Sequence, residues 1–288
     1  MHPVGTVAVV GSLNADLVIR TERFPRPGET LHGSDLVTLP GGKSANQAVA
    51  AARLGGTVRM IGAVGDDAAG ALLRDSVAAS GTDTTHVVVR PGVATGTAVI
   101  TVDAHGENTI VVSGGANATL APADLPTDVV AGATVVVLCL EVPTDVLLAA
   151  ARVAHEAGVL VLLNASPSGD VPRELLALTD VLLVNEHEAA DLGDHGVARA
   201  IVTRGADGAV VHDGDAAPVA VPAVTVDPVD TTGCGDAFTG AVAVRLAEGD
   251  DLVTAARSAV GVGAYAATGA GAQASYPTTD QLEAFLRA

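Results

Sequence analysis

Residues 230–240, with the sequence DTTGCGDAFTG, have the composition of an anion-binding loop with a carboxylate beside it. The run that follows carries apolar residues at helical spacing, so Gly233, Cys234 and Gly235 would direct free N–H groups outward from the start of a helix. Such groups bind phosphate oxygens. Asp236 would be repelled by a bound phosphate, which favours proton abstraction as its role. A capped helix after a glycine turn is the alternative for this segment taken alone.

Residues 40–49, with the sequence PGGKSANQAV, again place a glycine pair before an apolar helical run. Lys43 is the only lysine among fifteen basic residues, which indicates that a compact ammonium suits this position, although chance would also explain it. The segment is not a Walker A loop, because Val37 stands where the first glycine of that motif would be. Residues 233–235 do not open a dinucleotide fingerprint either, since Phe238 replaces its third glycine.

The composition of the chain limits its partners. A chain of 288 residues with 49% hydrophobic content can form one large α/β domain, and no linker, repeat or low-complexity tract divides it. The formal charge of −18 argues against nucleic acid or an anionic membrane as a partner. Cys139 and Cys234 are too few for a disulfide framework, no signal segment precedes Val4, and no apolar run could span a bilayer. We therefore expect one continuous, cytoplasmic domain.

Short β-branched runs alternate with alanine-rich amphipathic stretches, which is typical of parallel strands joined by helices. The predicted core strands are 7–10, 58–64, 135–140, 160–164, 181–184 and 200–203, and the predicted helices are 45–54, 69–80, 143–157, 186–192, 236–248, 252–267 and 279–288. Residues near 16–38 and 95–112 have period-two character and turn residues. We expect them to form antiparallel strands of a lid, built from segments 12–40 and 94–114.

Polar residues follow the ends of several predicted strands. They are Asn14, Asp16, Glu141, Asn164, Asn185 and the run 203–205. In an open parallel sheet these strand ends line one crevice. Turn preferences explain any single one of these residues but explain the set poorly. Carboxylates and amides also suit a neutral polyol, because each oxygen can accept a separate hydroxyl proton. The sequence therefore predicts a polar binding cleft at this edge of the sheet.

Taken together, these segments resemble the signatures of the ribokinase family of sugar kinases. Further matching segments are VVGSLNAD (9–16), FPRPGET (24–30), GDD (65–67), GEN (106–108), GGAN (114–117), NEHE (185–188) and GAQ (271–273), and their order and spacing also fit. Within the family, the pattern is most similar to the members that phosphorylate ribose. The resemblance implies a three-layer, ribokinase-like α/β fold in a single domain, with a mainly parallel central sheet and a small β-sheet lid.

The resemblance also implies roles for individual residues. The positions that bind the sugar in the family correspond to Asn14, Asp16, Gly42, Lys43, Asn46, Glu141 and Asp236. The positions that contact ATP correspond to Asn185, Thr203, Arg204, Gly205, Ala206, Asp207, Gly208 and Gly235. Glu188, with Asn185, matches the motif that organises Mg²⁺ around the phosphates through water. Potassium or a similar monovalent cation would be held by Asp230, Thr232, Ala266, Gly269, Gly271 and Ser275.

The implied reaction is ATP-dependent phosphorylation of the primary hydroxyl of a pentose, with D-ribose giving ribose 5-phosphate. Asp236 would take the hydroxyl proton while the Gly233–Gly235 amides and Mg²⁺ offset charge on the transferred group. The family often forms dimers through the lid, so we expect a homodimer. Cys234 stands where the family usually has alanine. We expect its thiol to stay neutral, because a thiolate would oppose phosphate.

Four alternatives remain open at this stage. A kinase for deoxyribose, fructose or another sugar would carry the same motifs. A nucleoside kinase would need aromatic rings to stack a base, and the chain has three Phe, two Tyr and no Trp. A sugar-phosphate kinase would need extra basic residues near the acceptor, which Arg20, Arg23 and Arg26 could supply. A catalytically silent sugar-binding protein would lack the base or the anion loop, and the sequence contains both.

Overall fold

The computed structural model describes residues 5–287. Its strands, in chain order, are β1 (Thr6–Val10), β2 (Asn14–Arg20), β3 (Val37–Gly41), β4 (Thr57–Gly65), β5 (Asp83–Arg90), β6 (Gly96–Val102), β7 (Asn108–Ser113), β8 (Val135–Cys139), β9 (Leu160–Asn164), β10 (Val181–Asn185), β11 (Arg199–Thr203), β12 (Ala209–Asp213) and β13 (Val219–Val221). Two predictions, the lack of a signal segment before Val4 and the end of the last helix at Ala288, concern residues outside the described range.

The helices connect these strands. They are α1 (Lys43–Arg53), α2 (Ala68–Ala79), α3 (Thr127–Ala131), α4 (Thr144–Glu156), α5 (Arg173–Ala177), α6 (Glu186–Leu192), α7 (Cys234–Ala247), α8 (Leu252–Ala267) and α9 (Thr279–Arg287), and a one-turn 3₁₀ helix spans Gln273–Ser275. Between residues 5 and 287, none of the helices combines the length and the apolar character needed to cross a bilayer.

A nine-stranded central sheet has the order β13-β12-β11-β10-β9-β8-β1-β4-β5. The pairs β11–β12 and β12–β13 are antiparallel, and the other neighbours pair parallel. Because side chains alternate along a strand, Val7 and Val9 face one core while Ala8 and Val10 face the other. Helices α1, α7 and α8 cover the first face, and α3, α4 and α5 cover the second. The predicted three-layer, mainly parallel α/β fold is confirmed.

The predicted core strands and helices all form, with ends that differ by no more than two residues where they are described. The elements that the sequence analysis does not predict are β5, β12, β13, α3 and α5. β5 is an edge strand that opens with the polar run Asp83-Thr-Thr-His86, so it lacks a continuous apolar signal. α3 and α5 have five residues each and β13 has three, which is too short for a periodic pattern.

A separate four-stranded sheet has the order β3-β2-β6-β7. The pairs β2–β3 and β6–β7 are antiparallel hairpins, as expected, but β2 and β6 run parallel from Asn14↔Gly96 to Arg20↔Val102. The expectation of antiparallel pairing throughout is therefore wrong. The reason is that β2 and β6 each follow a parallel strand of the central sheet, β1 and β5, and so leave that sheet in the same direction.

Helices α1 and α7 pack closely, and this contact positions the site. A Cβ atom on Gly240 of α7 would lie 2.6 Å from the Gln47 carbonyl oxygen and 2.8 Å from the Ala50 Cβ atom of α1. Glycine at this position therefore lets the two helix backbones approach each other. The first turn of α7, which carries Asp236, comes to lie against the first turn of α1.

Candidate active site

The Asp236 carboxylate is held by two amide side chains of α1. Asn46 Nδ2 donates to Asp236 Oδ2 over 3.0 Å, and Gln47 Nε2 donates to Oδ1 over 3.1 Å. Burial raises the pKa of Asp236, while the Lys43 ammonium and the two amide donors partly oppose that shift. Each oxygen keeps some acceptor capacity after these bonds. The result is an oriented carboxylate that can accept a proton from an alcohol in the cleft.

The carboxylates of Asp16, Glu141 and Asp236 lie close to one another, and the Lys43 ammonium lies near Glu141 and Asp236. Burial, together with the charges of Glu141 and Asp236, raises the pKa of Asp16 to about 7. Burial would lower the pKa of Lys43, but the charge of Asp236, with a smaller contribution from Glu141, outweighs it and raises the pKa. The excess of acceptors over cations suits a neutral ligand that offers several hydroxyl protons.

Glu141 is fixed from one side. Ser12 Oγ donates to Glu141 Oε2 over 2.5 Å, and the Lys43 backbone N–H donates to the same oxygen over 3.0 Å. The other carboxylate oxygen, Oε1, therefore remains available to a ligand. Gly42, at the start of α1, has φ +90, a conformation that L side chains rarely adopt, and a Cβ atom there would lie 2.7 Å from the Asn14 backbone nitrogen. A larger residue would separate α1 from β2.

Gly233 begins the loop at the start of α7 with φ +75, and a Cβ atom there would collide with the Tyr276 hydroxyl. That hydroxyl donates to the Gly233 carbonyl oxygen over 3.0 Å. A Cβ atom on Gly235 would meet nothing within 4 Å, so the loop borders open space on that side. In residues 5–287, the Gly233 and Gly235 amides have no acceptor. They are free to bind an anion.

Cys234 differs from the expectation in one respect and agrees in another. Its N–H donates to the Thr231 carbonyl oxygen over 3.2 Å, because residues 231–234 form a turn that uses this amide internally. The prediction that all three loop amides point outward is therefore wrong for Cys234. Burial, with the charges of Asp230 and Asp236, raises the pKa of the thiol to about 11. A neutral thiol agrees with the expectation.

Two adjacent strand ends form the other side of the cleft. Asn185 at the end of β10 is in register with Thr203 at the end of β11. The Glu188 N–H donates to Asn185 Oδ1 over 2.8 Å, and the Asn185 N–H donates to Glu188 Oε2 over 2.9 Å. This reciprocal capping box fixes both side chains at the start of α6. The other carboxylate oxygen of Glu188, Oε1, takes no part in the capping box.

The loop after β11 is a tight turn. The Arg204 N–H donates to the Gly208 carbonyl oxygen over 2.8 Å, and Gly208 has φ +86. Arg204, Gly205, Ala206 and Asp207 are exposed, and Arg204 forms an ion pair with Glu186. The loop therefore borders the carboxyl edge of the central sheet, beside Asn185.

One cavity of about 240 Å³ is lined by residues from both sides of the cleft. Its lining residues are Lys43, Asn164, Ser166, Leu183, Asn185, Glu188, Thr203, Thr231, Gly233, Gly235 and Asp236. Among the remaining predicted residues, Glu141 lines a second, more apolar cavity of about 410 Å³. The predicted site residues that line neither cavity are Asn14, Asp16, Gly42, Asn46, Cys234, the loop residues Arg204, Gly205, Ala206, Asp207 and Gly208, and the cation ligands Asp230, Thr232, Ala266, Gly269, Gly271 and Ser275.

The Asp230 carboxylate links two of the segments that carry the predicted monovalent-cation ligands, the loop before α7 and the loop after α8. Asp230 Oδ1 accepts from the Thr232 N–H and Oδ2 accepts from the Gly271 N–H, each over 2.9 Å. Burial raises the pKa of Asp230, but these hydrogen bonds outweigh it and lower the pKa overall. Within the described part of the chain, no group of three or more His, Cys, Asp or Glu side chains could hold a metal ion. Coordination here would depend mainly on carbonyl oxygens.

Comparison with known proteins gives the family. A family model described as pfkB family carbohydrate kinase matches residues 5–279, and the chain belongs to this family. A ribokinase from Bacillus subtilis is 35% identical to this chain, covering 97% of it and 99% of the relative. A deoxyribokinase from Salmonella typhi is also 35% identical, covering 97% and 98%. The structure of Arabidopsis thaliana ribokinase complexed with ribose and ATP has a TM-score of 0.92 and 30% identity, covering 99% of this chain and 100% of that one.

These findings confirm the predicted resemblance and the predicted enzyme class, a carbohydrate kinase. Sequence reasoning gave no role to Ser12, Gln47, Asn117, Gln273 or Tyr276, although all of these except Tyr276 lie in segments that it matched to the family. Gln47 carried a usable signal, because it is a polar residue on a buried stretch of an alanine-rich helix. Tyr276 carried none, since only the folded chain brings it to Gly233.

Proposed function

We propose that this protein transfers the γ-phosphoryl group of ATP to the primary hydroxyl of a pentose, converting D-ribose to ribose 5-phosphate. The observation that supports this most strongly is that Lys43, Asp236 and Gly235 line the same cavity as Asn185, Glu188 and Thr203. The first three suit an acceptor and a transferred phosphoryl group. The last three lie where the family contacts ATP.

The proposed chemistry follows from the charges of the site. Asp236 accepts the proton of the primary hydroxyl as the oxygen attacks the γ-phosphorus. The Gly233 and Gly235 amides donate to the oxygens of the transferred group, on which charge develops. Asn14, Asp16, Lys43, Asn46 and Glu141 bind the remaining hydroxyls, with Gly42 supplying backbone contact. Orienting the two substrates supplies much of the rate in reactions of this kind.

The acids present fit a magnesium ion that arrives with the nucleotide. Glu188 offers one carboxylate oxygen beside the cavity, and Mg²⁺ commonly binds through one or two carboxylates, water and substrate phosphates. When bound, the ion would neutralise charge on the phosphates. For a monovalent cation, we propose the ligands Asp230, Thr232, Ala266, Gly269, Gly271 and Ser275. Rates in potassium should exceed those in a bulky organic cation salt, and equal rates would refute this site.

The test of the activity is a coupled ATP-consumption assay over ribose, deoxyribose, fructose, adenosine and fructose phosphates. Ribose should give the largest kcat/KM. Asp236→Asn should lower turnover about a hundredfold or more while sugar binding is kept, because the amide cannot act as the base. The proposal would be contradicted if none of these acceptors supported ATP consumption, or if the variant kept near-normal turnover.

Deoxyribose is the second candidate acceptor. The deoxyribokinase relative is as similar to this chain as the ribokinase relative, at 35% identity each. The two sugars differ by the 2-hydroxyl group, so the comparison of kcat/KM for the pair measures whether the site uses that hydroxyl. A higher value for deoxyribose would assign the second function.

The small sheet supports the proposal of a homodimer. Leu39, Val99, Ile110, Val111 and Val112 are exposed on it, with Val111 at 72% exposure. Val99 and Val111 lie on one face of this sheet and Leu39, Ile110 and Val112 on the other. Exposed apolar side chains and free strand edges favour pairing with a second copy, and the same sheet would act as the lid. Val111→Lys should shift the protein toward monomer in light scattering after gel filtration, and an unchanged mass would argue against this surface. We place the protein in the cytoplasm, in keeping with its free cysteines.

A further inference from the structure

A chain of buried hydrogen bonds runs from α2 to the Asp236 carboxylate. Ser76 Oγ donates to Gln273 Oε1 over 2.9 Å, and Gln273 Nε2 donates to Asn46 Oδ1 over 3.0 Å. Asn46 Nδ2 then donates to Asp236 Oδ2 over 3.0 Å. Gln273, Asn46 and Asp236 are each at most 7% exposed, so water has little access to these bonds. We name these four residues the Gln273 relay.

The relay has a direction. Gln273 Oε1 accepts from the Ser76 hydroxyl, and the amide nitrogen of Gln273 faces Asn46. Asn46 therefore presents its oxygen to Gln273 and its nitrogen to Asp236. If Asn46 were reversed, its oxygen would face the carboxylate, and two acceptors would meet in a buried site. The Asp236 carboxylate, which only accepts, and the Nε2 donor of Gln273 therefore favour the same orientation of Asn46 from its two sides.

We propose that Gln273 is a positioning residue for phosphoryl transfer: by orienting Asn46, it keeps the Asp236 carboxylate ionised and directed at the acceptor hydroxyl. This inference rests on the proposed role of Asp236 as the base. Gln47 holds the other oxygen of Asp236 independently, so loss of Gln273 should weaken the site without abolishing it.

The segment that carries Gln273 contacts both the anion loop and Asn46, which holds the base. It begins the one-turn helix Gln273–Ser275, directly after Gly271, whose N–H donates to Asp230. Asp230 precedes the anion loop, and Tyr276, three residues after Gln273, bonds the Gly233 carbonyl oxygen of that loop. The same short segment therefore contacts both the anion loop and, through Asn46, the base. Displacement of Gln273 would affect the two together.

The test uses kcat as a function of pH at saturating sugar and ATP, because kcat reports groups in the bound complex. Several other titratable groups face Asp236. They are Lys43 from α1, Asp16 from β2, Cys139 from β8, Glu141 from the loop after β8, Glu188 from α6, Cys234 in the same helix turn, and Tyr276. All of them are retained in the variants below, so a shift between variant and wild type reports the relay.

Gln273→Met removes the donor to Asn46 while keeping much of the side-chain length. We expect kcat to fall between about 10-fold and 100-fold, and the acid limb of the profile to move up by about one pH unit. Gln273→Glu should show the same direction of shift, because a carboxylate cannot donate to Asn46 Oδ1. Gln281→Met, in the exposed first turn of α9, is the control for kcat and its pH profile and should match wild type in both; it is not a control for stability, because Gln281 Oε1 accepts from the Thr278 N–H over 2.8 Å.

A wild-type kcat and an unmoved acid limb in Gln273→Met would overturn the proposal. A fall in kcat with loss of thermal stability and no pH shift would also overturn it, since that is the result of a purely structural role. If Gln273→Met does not fold, Ser76→Ala decides: a smaller upward shift of the limb supports the relay, and no shift refutes it. Asp236→Asn, measured in parallel, shows separately whether Asp236 is the base.

Discussion

Asn117 orients Asn14: the Asn117 Nδ2 atom lies 2.8 Å from Asn14 Oδ1 and donates to it. Asn117 is almost fully buried, and it also bonds both the N–H and the carbonyl oxygen of Leu13, at 3.0 Å each. All of its polar groups are therefore used. Because the oxygen of Asn14 accepts this hydrogen bond, the amide nitrogen is the end that would donate to a hydroxyl of the proposed sugar substrate.

Asn117→Asp should impair sugar binding. A carboxylate can still accept from the Leu13 N–H, but it cannot donate to Asn14 Oδ1 or to the Leu13 carbonyl oxygen, so Asn14 should lose its present orientation. We expect KM for the sugar to rise about tenfold, in keeping with the loss of a hydrogen bond worth about 1 kcal/mol and some misorientation, while KM for ATP is unchanged. Asn108→Asp, on exposed β7, is the control. Equal effects on both KM values would contradict a role confined to the sugar side.

Asp16 should make stability depend on pH. Its pKa is raised to about 7 in the folded protein, against 3.8 for an unperturbed group. Below about pH 4 both folded and unfolded chains hold this proton, and as pH rises to 7 the unfolded chain releases it first. The folded state therefore loses stability over this window, by roughly 1.4 kcal/mol for each pKa unit of the shift.

Asp16→Asn should remove that loss. The variant should melt about 5 °C or more above the wild type at pH 8, with a clearly smaller difference at pH 5. Differential scanning calorimetry of the ligand-free protein measures both values, and Asp35→Asn, an exposed acid next to β3, controls for net charge. If the difference in melting temperature were the same at both pH values, the pKa of Asp16 would not be raised in the folded protein.

Much of the fold could be predicted because it depends on local patterns. Buried β-branched runs such as 181–184 and alanine-rich stretches such as 252–267 show their periodicity directly, and the start of α7 follows from its glycines. The parallel pairing of β2 with β6 could not be predicted in this way. It depends on where β1 and β5 end in the folded sheet, and residue types in β2 do not record that.

The candidate site likewise contains residues that local patterns reveal and residues that only tertiary contacts reveal. Lys43, Asp236 and Asn185 stand out because their types are unusual at helix and strand ends. Ser12, Asn117, Gln273 and Tyr276 act through contacts with residues far away in the chain, from 43 positions for Tyr276 with Gly233 to 227 positions for Gln273 with Asn46. Such contacts give no local pattern. The internal bond of the Cys234 amide to Thr231 was also not visible, because it depends on the backbone angles of a four-residue turn.

Tyr276→Phe should weaken the use of ATP more than the use of sugar. The hydroxyl of Tyr276 anchors the Gly233 carbonyl oxygen at 3.0 Å, so its removal frees the anion loop without opening a large cavity. We expect kcat to fall several-fold and KM for ATP to rise, with KM for the sugar unchanged. Tyr265→Phe is the matched control, because that ring packs against Phe285 on α9, 5.3 Å between centroids. Wild-type kinetics in Tyr276→Phe would show that the hydroxyl does not control the loop.

Alkylation of Cys234 should be slow near neutral pH and should block ATP use once it occurs. Burial and the charges of Asp230 and Asp236 raise the thiol pKa to about 11, and only the thiolate reacts quickly. The labelling rate, followed by mass spectrometry of the Cys234 peptide, should therefore rise about tenfold per pH unit between pH 7 and 9. The added group would stand beside the Gly233 and Gly235 amides and exclude phosphate. Cys234→Ala should resist inactivation by the same reagent, because Cys139 is fully buried. Full activity in protein shown to be alkylated at Cys234 would place this residue away from the phosphate path.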